Sequence, residues 1–219
     1  MQPDQPPEPT GWLPVLRRTA ADTKEYLAEA ADVAVSALVD TDALESVPLV
    51  STAVKVLNVR DAFHKARIKR NVYQFLLALA DADKPKLEDL FDALENDPQQ
   101  GEDFADTLAS ILIEAEKPLK AKIVGCLVKA ASKGNISRPD LDLACQLVYS
   151  ASVPALTALP IFFAHTRGKE DFESPAVPQE ALLFSLGVIT RHGNTVRISG
   201  LGKLLYSYGI KEARRSRAE

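Results

Sequence analysis

"LLFSLGVITRHGNTVRISGLGKLLYSYG", Leu182 to Gly209, holds the sharpest change of pattern in the chain. Ala181, Leu182, Leu183, Phe184 and Leu186 make a short apolar helical run that Gly187 stops. Val188 to Arg191 and Val196 to Ser199 then read as two strands, with His192-Gly193-Asn194-Thr195 as the turn between them. Ser199 caps a last helix whose inner side carries Leu201, Leu204, Leu205 and Tyr208, and Gly202 lets that helix pack closely. The stretch predicts a small unit over 178–210: a helix, a hairpin and a second helix.

Upstream the composition is helical. Alanine, leucine, glutamate, aspartate and lysine dominate, and glycine numbers only 10 among 219 residues. An apolar share of 46% suffices for one sizeable core, with or without a small appendage. Residues 1–11, in "MQPDQPPEPTGW", are too rich in proline and acid to pack, and they lack the basic and apolar segments of a signal peptide. They read as a disordered leader of a cytoplasmic chain. Residues 12–46 read as a loosely attached helical arm with Tyr26, Leu27, Ala30, Val33, Ala37 and Leu38 on one side. Residues 47–166 form the helical core, 167–177 a polar linker and 211–219 a basic tail. In the core, Val50, Val54, Leu57, Phe63, Val72, Phe75, Leu76 and Leu79 are expected to point inward. Pro118 marks a helix start, Gly134 and Asn135 a helix end, and Ser137 with Asp140 a capping box. Short connections predict an all-α fold, a multi-helix antiparallel core that carries the C-terminal unit.

Charge is unevenly placed. Over 47–80, Lys55, Arg60, Lys65, Arg67, Lys69 and Arg70 stand against Asp61 alone, a net of +5. Over 81–117 the net is −9. The two segments can simply pair with each other. Left unpaired, the basic face around Arg60, Lys65, Arg67, Lys69 and Arg70 is a candidate surface for a protein partner. The closing segment 187–219 has a net of +5, and Arg191, Arg197, Lys203, Arg214, Arg215 and Arg217 are the candidate phosphate contacts if the chain binds nucleic acid. Residues 143–166 carry no formal charge, which raises a membrane span. Pro154, Pro160 and several polar residues favour two buried helices instead.

The run from Leu182, "L-x-x-L-G-V-I" followed by "V-R-I-S-x-L-G-K-L-L", resembles the final helix and wing of winged-helix proteins. That resemblance implies a helix set before the wing, yet "PQEALLFSLG" offers only Gln179, Glu180 and Ser185 as polar readers. The helical middle, "VPLVSTAVKVLNVRDAFHKARIKRNVYQFLLAL" with "KAKIVGCLVKA", resembles bacterial and phage proteins of the abortive-infection alpha type, which implies a role in phage exclusion. "AASKGNISRPDLDLA" is similar to TerB-like helical domains, but Lys133 stands where that family has an acid. No metal ligand is carried over.

Catalytic signatures are missing from the sequence. No Gly-rich phosphate loop, nucleophile elbow, His-Glu-x-x-His helix or paired Cys-x-x-Cys occurs, and His64, His165 and His192 lie far apart. "DADKPKLEDLFD" lacks the glycine of a calcium loop. Cys126 and Cys145 sit in apolar helical runs and read as core residues in a reducing compartment. The expectation is a non-catalytic interaction protein without cofactor or metal. A nucleic-acid-binding regulator and a membrane-associated exclusion protein are the alternatives, and self-association stays open.

Overall fold

Local start signals decide where the helices begin. The computed structural model describes residues 11–31, 44–58 and 61–215. Its first helices are α1 (Leu13–Ala21), α2 (Thr23–Ala31), α3 (Pro48–Val56) and α4 (Ala62–Leu79). Then follow α5 (Lys84–Glu95), α6 (Pro98–Glu114), α7 (Pro118–Ser132), α8 (Arg138–Ser150) and α9 (Val153–His165). In α1, α3 and α5 to α9 a proline occupies the first turn, where its missing N–H costs nothing. The Ser137 and Asp140 capping box forms: Ser137 Oγ accepts from the Asp140 N–H at 3.2 Å and donates to its carboxylate at 2.7 Å.

Helix α7 is the axis. Every residue from Ala121 to Val128 is buried, Lys122 among them, as befits a helix packed on nearly every side. It packs against α4, α5, α6 and α8. The tightest of these contacts skips two helices and joins α7 to α4 at Gly125, where an added Cβ would lie 2.7 Å from Ala78 Cβ and 2.9 Å from the Phe75 carbonyl oxygen. Buried Asn71 on α4 donates to the carbonyls of Leu112 at 3.2 Å and Ala115 at 2.8 Å, which satisfies the end of α6.

The expected loose arm is corrected for α1. Leu13, Val15, Leu16 and Ala20 are buried against α3, α5 and α6, and Thr19 Oγ accepts from the Leu49 N–H at 3.1 Å. Val33, Ala37, Leu38 and residues 1–10 lie outside the described residues. In the next segment Val50, Val72, Phe75, Leu76 and Leu79 are buried as expected and Val54 partly so, whereas Leu57 and Phe63 are 50% and 69% exposed. The helix breaks between Val56 and Ala62, and Asp61 starts α4 afresh by accepting from the Phe63 N–H at 3.2 Å. One helical period counted across that break assigns Leu57 and Phe63 to the wrong face.

Residues 143–166 fall on α8 and α9, bent by 118° at their joint, and no single helix among the described residues is long and apolar enough to cross a membrane. Residues 167–177 are corrected from a linker to part of the C-terminal unit, because they supply β1 (Asp171–Glu173). After it come α10 (Glu180–Ser185), β2 (Ile189–His192), β3 (Thr195–Ile198) and α11 (Gly200–Leu204). A π-helical turn (Leu205–Ile210) and α12 (Lys211–Arg215) complete the described chain. The sheet is antiparallel in the order β1-β3-β2, with Phe172 opposite Val196. Gly193, at φ +59°, opens the two-residue hairpin loop.

This unit is fastened to the core. Gly209 sets the π-helical turn on α7, where a Cβ would lie 3.0 Å from Ile123 Cγ2. Phe163 of α9 stacks on Tyr206 with ring centroids 3.9 Å apart. The expected basic tail is helical up to Arg215, with Ala213 buried and α12 packed on α7. Replacing Gly125 by alanine drives a methyl into α4 and should cost about 1–3 kcal/mol of stability. Urea unfolding reads this as a lower midpoint with an unaltered slope; an unshifted midpoint would mean that α4 and α7 do not meet here.

Candidate functional site

Of the five cations read as a docking face, the four in the described residues differ in burial and partners. Lys69 is 5% exposed, and its ammonium meets Glu45 Oε1 at 3.0 Å. This corrects its placement on the surface. The acid comes from the segment before α3, too distant in sequence for the spacing of α4 to reveal it. Lys65 and Arg67 are half-buried, and Arg70 is exposed with its guanidinium on the Glu116 carbonyl at 3.2 Å. Arg67 Nε is buried without a hydrogen-bond partner among the described residues. Arg60 lies outside the described residues.

The end of α3 and the start of α4 expose apolar side chains instead. Val56 is 66% exposed, and Leu57 and Phe63 stand beside it in the chain, with Lys55, His64 and Lys65 on either side. His64 Nδ1 meets Asp61 Oδ2 at 2.5 Å, and with the Phe63 N–H it holds the Asp61 carboxyl below the usual range. The one acid of the corner is therefore already occupied. Sequence reasoning missed this apolar cluster; Asp61, a capping residue just before Phe63, is the signal that could have found it.

Several acids of the acidic segment pair with cations from outside the basic one. Arg17 of α1 pairs with Asp92 and, at 2.6 Å, with Glu95 of α5. Lys129 of α7 binds Asp81 at 2.8 Å and holds that carboxyl below its usual range. Lys84 meets Asp22 at 3.1 Å. Acid on α5 is thus answered mainly from α1, and of the α4 cations only Arg70 is exposed, with Lys65 and Arg67 half-buried.

On the C-terminal unit, the candidate phosphate contacts are mostly engaged. Arg191 donates to both oxygens of Glu180, at 2.5 and 2.7 Å, and to the Ser174 carbonyl at 2.8 Å. It ties β2 to α10 and to the end of β1. Arg197 makes a two-point bond with Asp171 across the β1–β3 pair, at 2.6 and 3.0 Å, and Lys203 pairs with Glu170. Arg215 pairs with Glu212 at 3.0 Å, Arg214 is exposed on α12, and Arg217 lies outside the described residues. The acids that bind Arg197 and Lys203 come from 167–173, a segment that reads as a linker in the sequence but carries β1.

Other chemistry is sparse. Among the described residues no three His, Cys, Asp or Glu side chains gather where they could hold a metal ion. Burial pushes the Cys126 thiol up to about 11 and the Cys145 thiol higher still, so neither is a reactive thiolate.

The Glu180 pair yields a pH prediction. Arg191 holds the Glu180 carboxyl below its usual range, so its contribution to folding is complete above the unfolded value of about 4.3 and is lost as pH falls through the lower folded value. Glu180→Gln should therefore speed amide exchange in β2 and β3 at neutral pH, and the difference from the parent protein should shrink in acid. Equal exchange rates at neutral pH would remove Arg191 from its structural role.

No protein-family model, curated protein or solved structure matches this chain.

Proposed function

We propose that this protein is a non-catalytic interaction protein whose partner docks on the corner between α3 and α4. The observation that carries this reading is the exposure of Val56, Leu57 and Phe63 together, at 66%, 50% and 69%. Single exposed apolar residues are ordinary; three exposed between Val56 and Phe63 keep apolar surface in water that a partner would remove. Lys55 and Lys65 stand close to them in the chain, Arg70 follows on α4, and the adjacent Asp61 is engaged by His64. The complementary partner is a protein surface with apolar anchors inside an acidic rim.

Supporting features bear on the setting. Cys126 and Cys145 are free and buried, which suits a reducing cytoplasm. The likeness of the helical middle to the abortive-infection alpha type supports a partner that acts in phage exclusion. The nucleic-acid reading is weakened by the acids already bound to Arg191, Arg197 and Lys203.

Phe63→Asp puts a negative charge at the centre of the surface without touching the core, so partner capture from cells of the native host should fall by about tenfold or more. Helical circular dichroism should stay unchanged. Arg70→Glu should weaken capture less and in a salt-dependent way. Undiminished capture by Phe63→Asp contradicts the proposal, as does steeply salt-sensitive binding of duplex DNA by the unaltered protein.

A further inference from the structure

We propose that the groove between the end of α6 and the starts of α7 and α9 binds a small organic phosphate monoester. This assignment does not rest on the α3–α4 docking proposal and needs no partner protein, although Arg70 reaches the carbonyl of Glu116 at the groove's edge. The groove has a volume of about 700 Å³, within the range of small-molecule sites. Its floor is apolar, made by the buried residues Ile111, Ala115 and Ala151. Tyr149, at the end of α8, gives one wall an aromatic ring that is 46% exposed. Its hydroxyl donates to Glu114 Oε2 at 3.3 Å, which orients the ring and occupies one of the groove's acids.

Lys120 carries the assignment. Its ammonium donates to the Tyr149 carbonyl at 2.7 Å and pairs with no carboxylate among the described residues. Partial burial lowers its pKa, opposed only by the field of Glu116. A cation that has given up part of its water and gained a neutral carbonyl in return is stabilised by an anion placed beside it. Lys117 adds a second cation in the same groove, exposed and in no ion pair among the described residues. The first turn of α7, which begins at Pro118 between these lysines, has no side-chain cap, so its partial positive charge adds to theirs.

Glu116 also lines the groove, but Glu114 is held by the Tyr149 hydroxyl, so the two lysines with the first turn of α7 outweigh the one acid left and suit a dianion, and the apolar floor with its aromatic wall matches a ligand that carries a flat apolar body. A phosphate monoester on a ring has both. The ring would lie against Tyr149 and Ala151 while the phosphate takes N–H donors from Lys120 and Lys117.

Phenyl phosphate is the probe, with inorganic phosphate and benzoate as controls, titrated into the full chain and followed by amide chemical shifts. Phenyl phosphate should bind with a dissociation constant of about 1 mM or tighter and about tenfold more tightly than either control. The shifts should map to Ile111, Ala115 and Ala151. Lys117→Ala, at an exposed position, and Lys120→Met should each weaken it severalfold. Because Lys120 also bonds the Tyr149 carbonyl, Lys117→Ala keeps the test decisive should Lys120→Met perturb the fold. Equal affinity for phenyl phosphate and benzoate, shifts located elsewhere, or full binding by Lys117→Ala would overturn the proposal.

Discussion

Between α4 and α7 there is room for a glycine and for nothing larger. The close approach at Gly125 brings two backbones together over Ala78 and Phe75, and this contact fixes where α7 lies. A helix so placed is surrounded on every side, which is why Ala121 to Val128 are all buried. The π-helical turn and α12 rest on its remaining flank, so the C-terminal unit takes its seat from the same helix that organises the core. Gly209 repeats on that flank what Gly125 does against α4.

Electrostatics follow from this packing. With α4 held against α7, the acidic face of α5 turns toward α1, and Arg17 rather than the basic helix meets Asp92 and Glu95. Lys69 is drawn inward to Glu45. Val56, Leu57 and Phe63, at the end of α3 and the start of α4, stay exposed among the described residues. Around β3, Asp171 and Glu170 arrive on the segment before α10 and neutralise Arg197 and Lys203. Two segments with the same net charge in the sequence therefore present different surfaces.

Local signals made much of the fold legible. Caps at Ser137 and Ser199, the stop at Gly134, the hairpin turn at Gly193 and the start of α7 at Pro118 act over a few residues, and each is readable without a partner. What escaped the sequence depends on residues brought together by the fold. Strand β1 is three residues of mixed polarity, and only pairing with β3 makes it a strand. Lys69 reads as a surface cation until Glu45 lies beside it. Leu57 and Phe63 read as core because the break before Asp61 was counted through. The groove at Lys120 could not be read at all, since its walls come from four helices whose ends meet only in the folded chain.

If α7 unites the core and the C-terminal unit, the two must unfold together. Trp12, partly buried beside the core at the start of α1, reports one end of the molecule by fluorescence. The amides of Val196 and Ile198 in β3 report the other. Followed in one urea titration, the two probes should give coincident transitions with a single midpoint. A β3 transition completed at lower urea, with Trp12 still native, would mean that the C-terminal unit is an independent appendage and that α7 does not join it to the core.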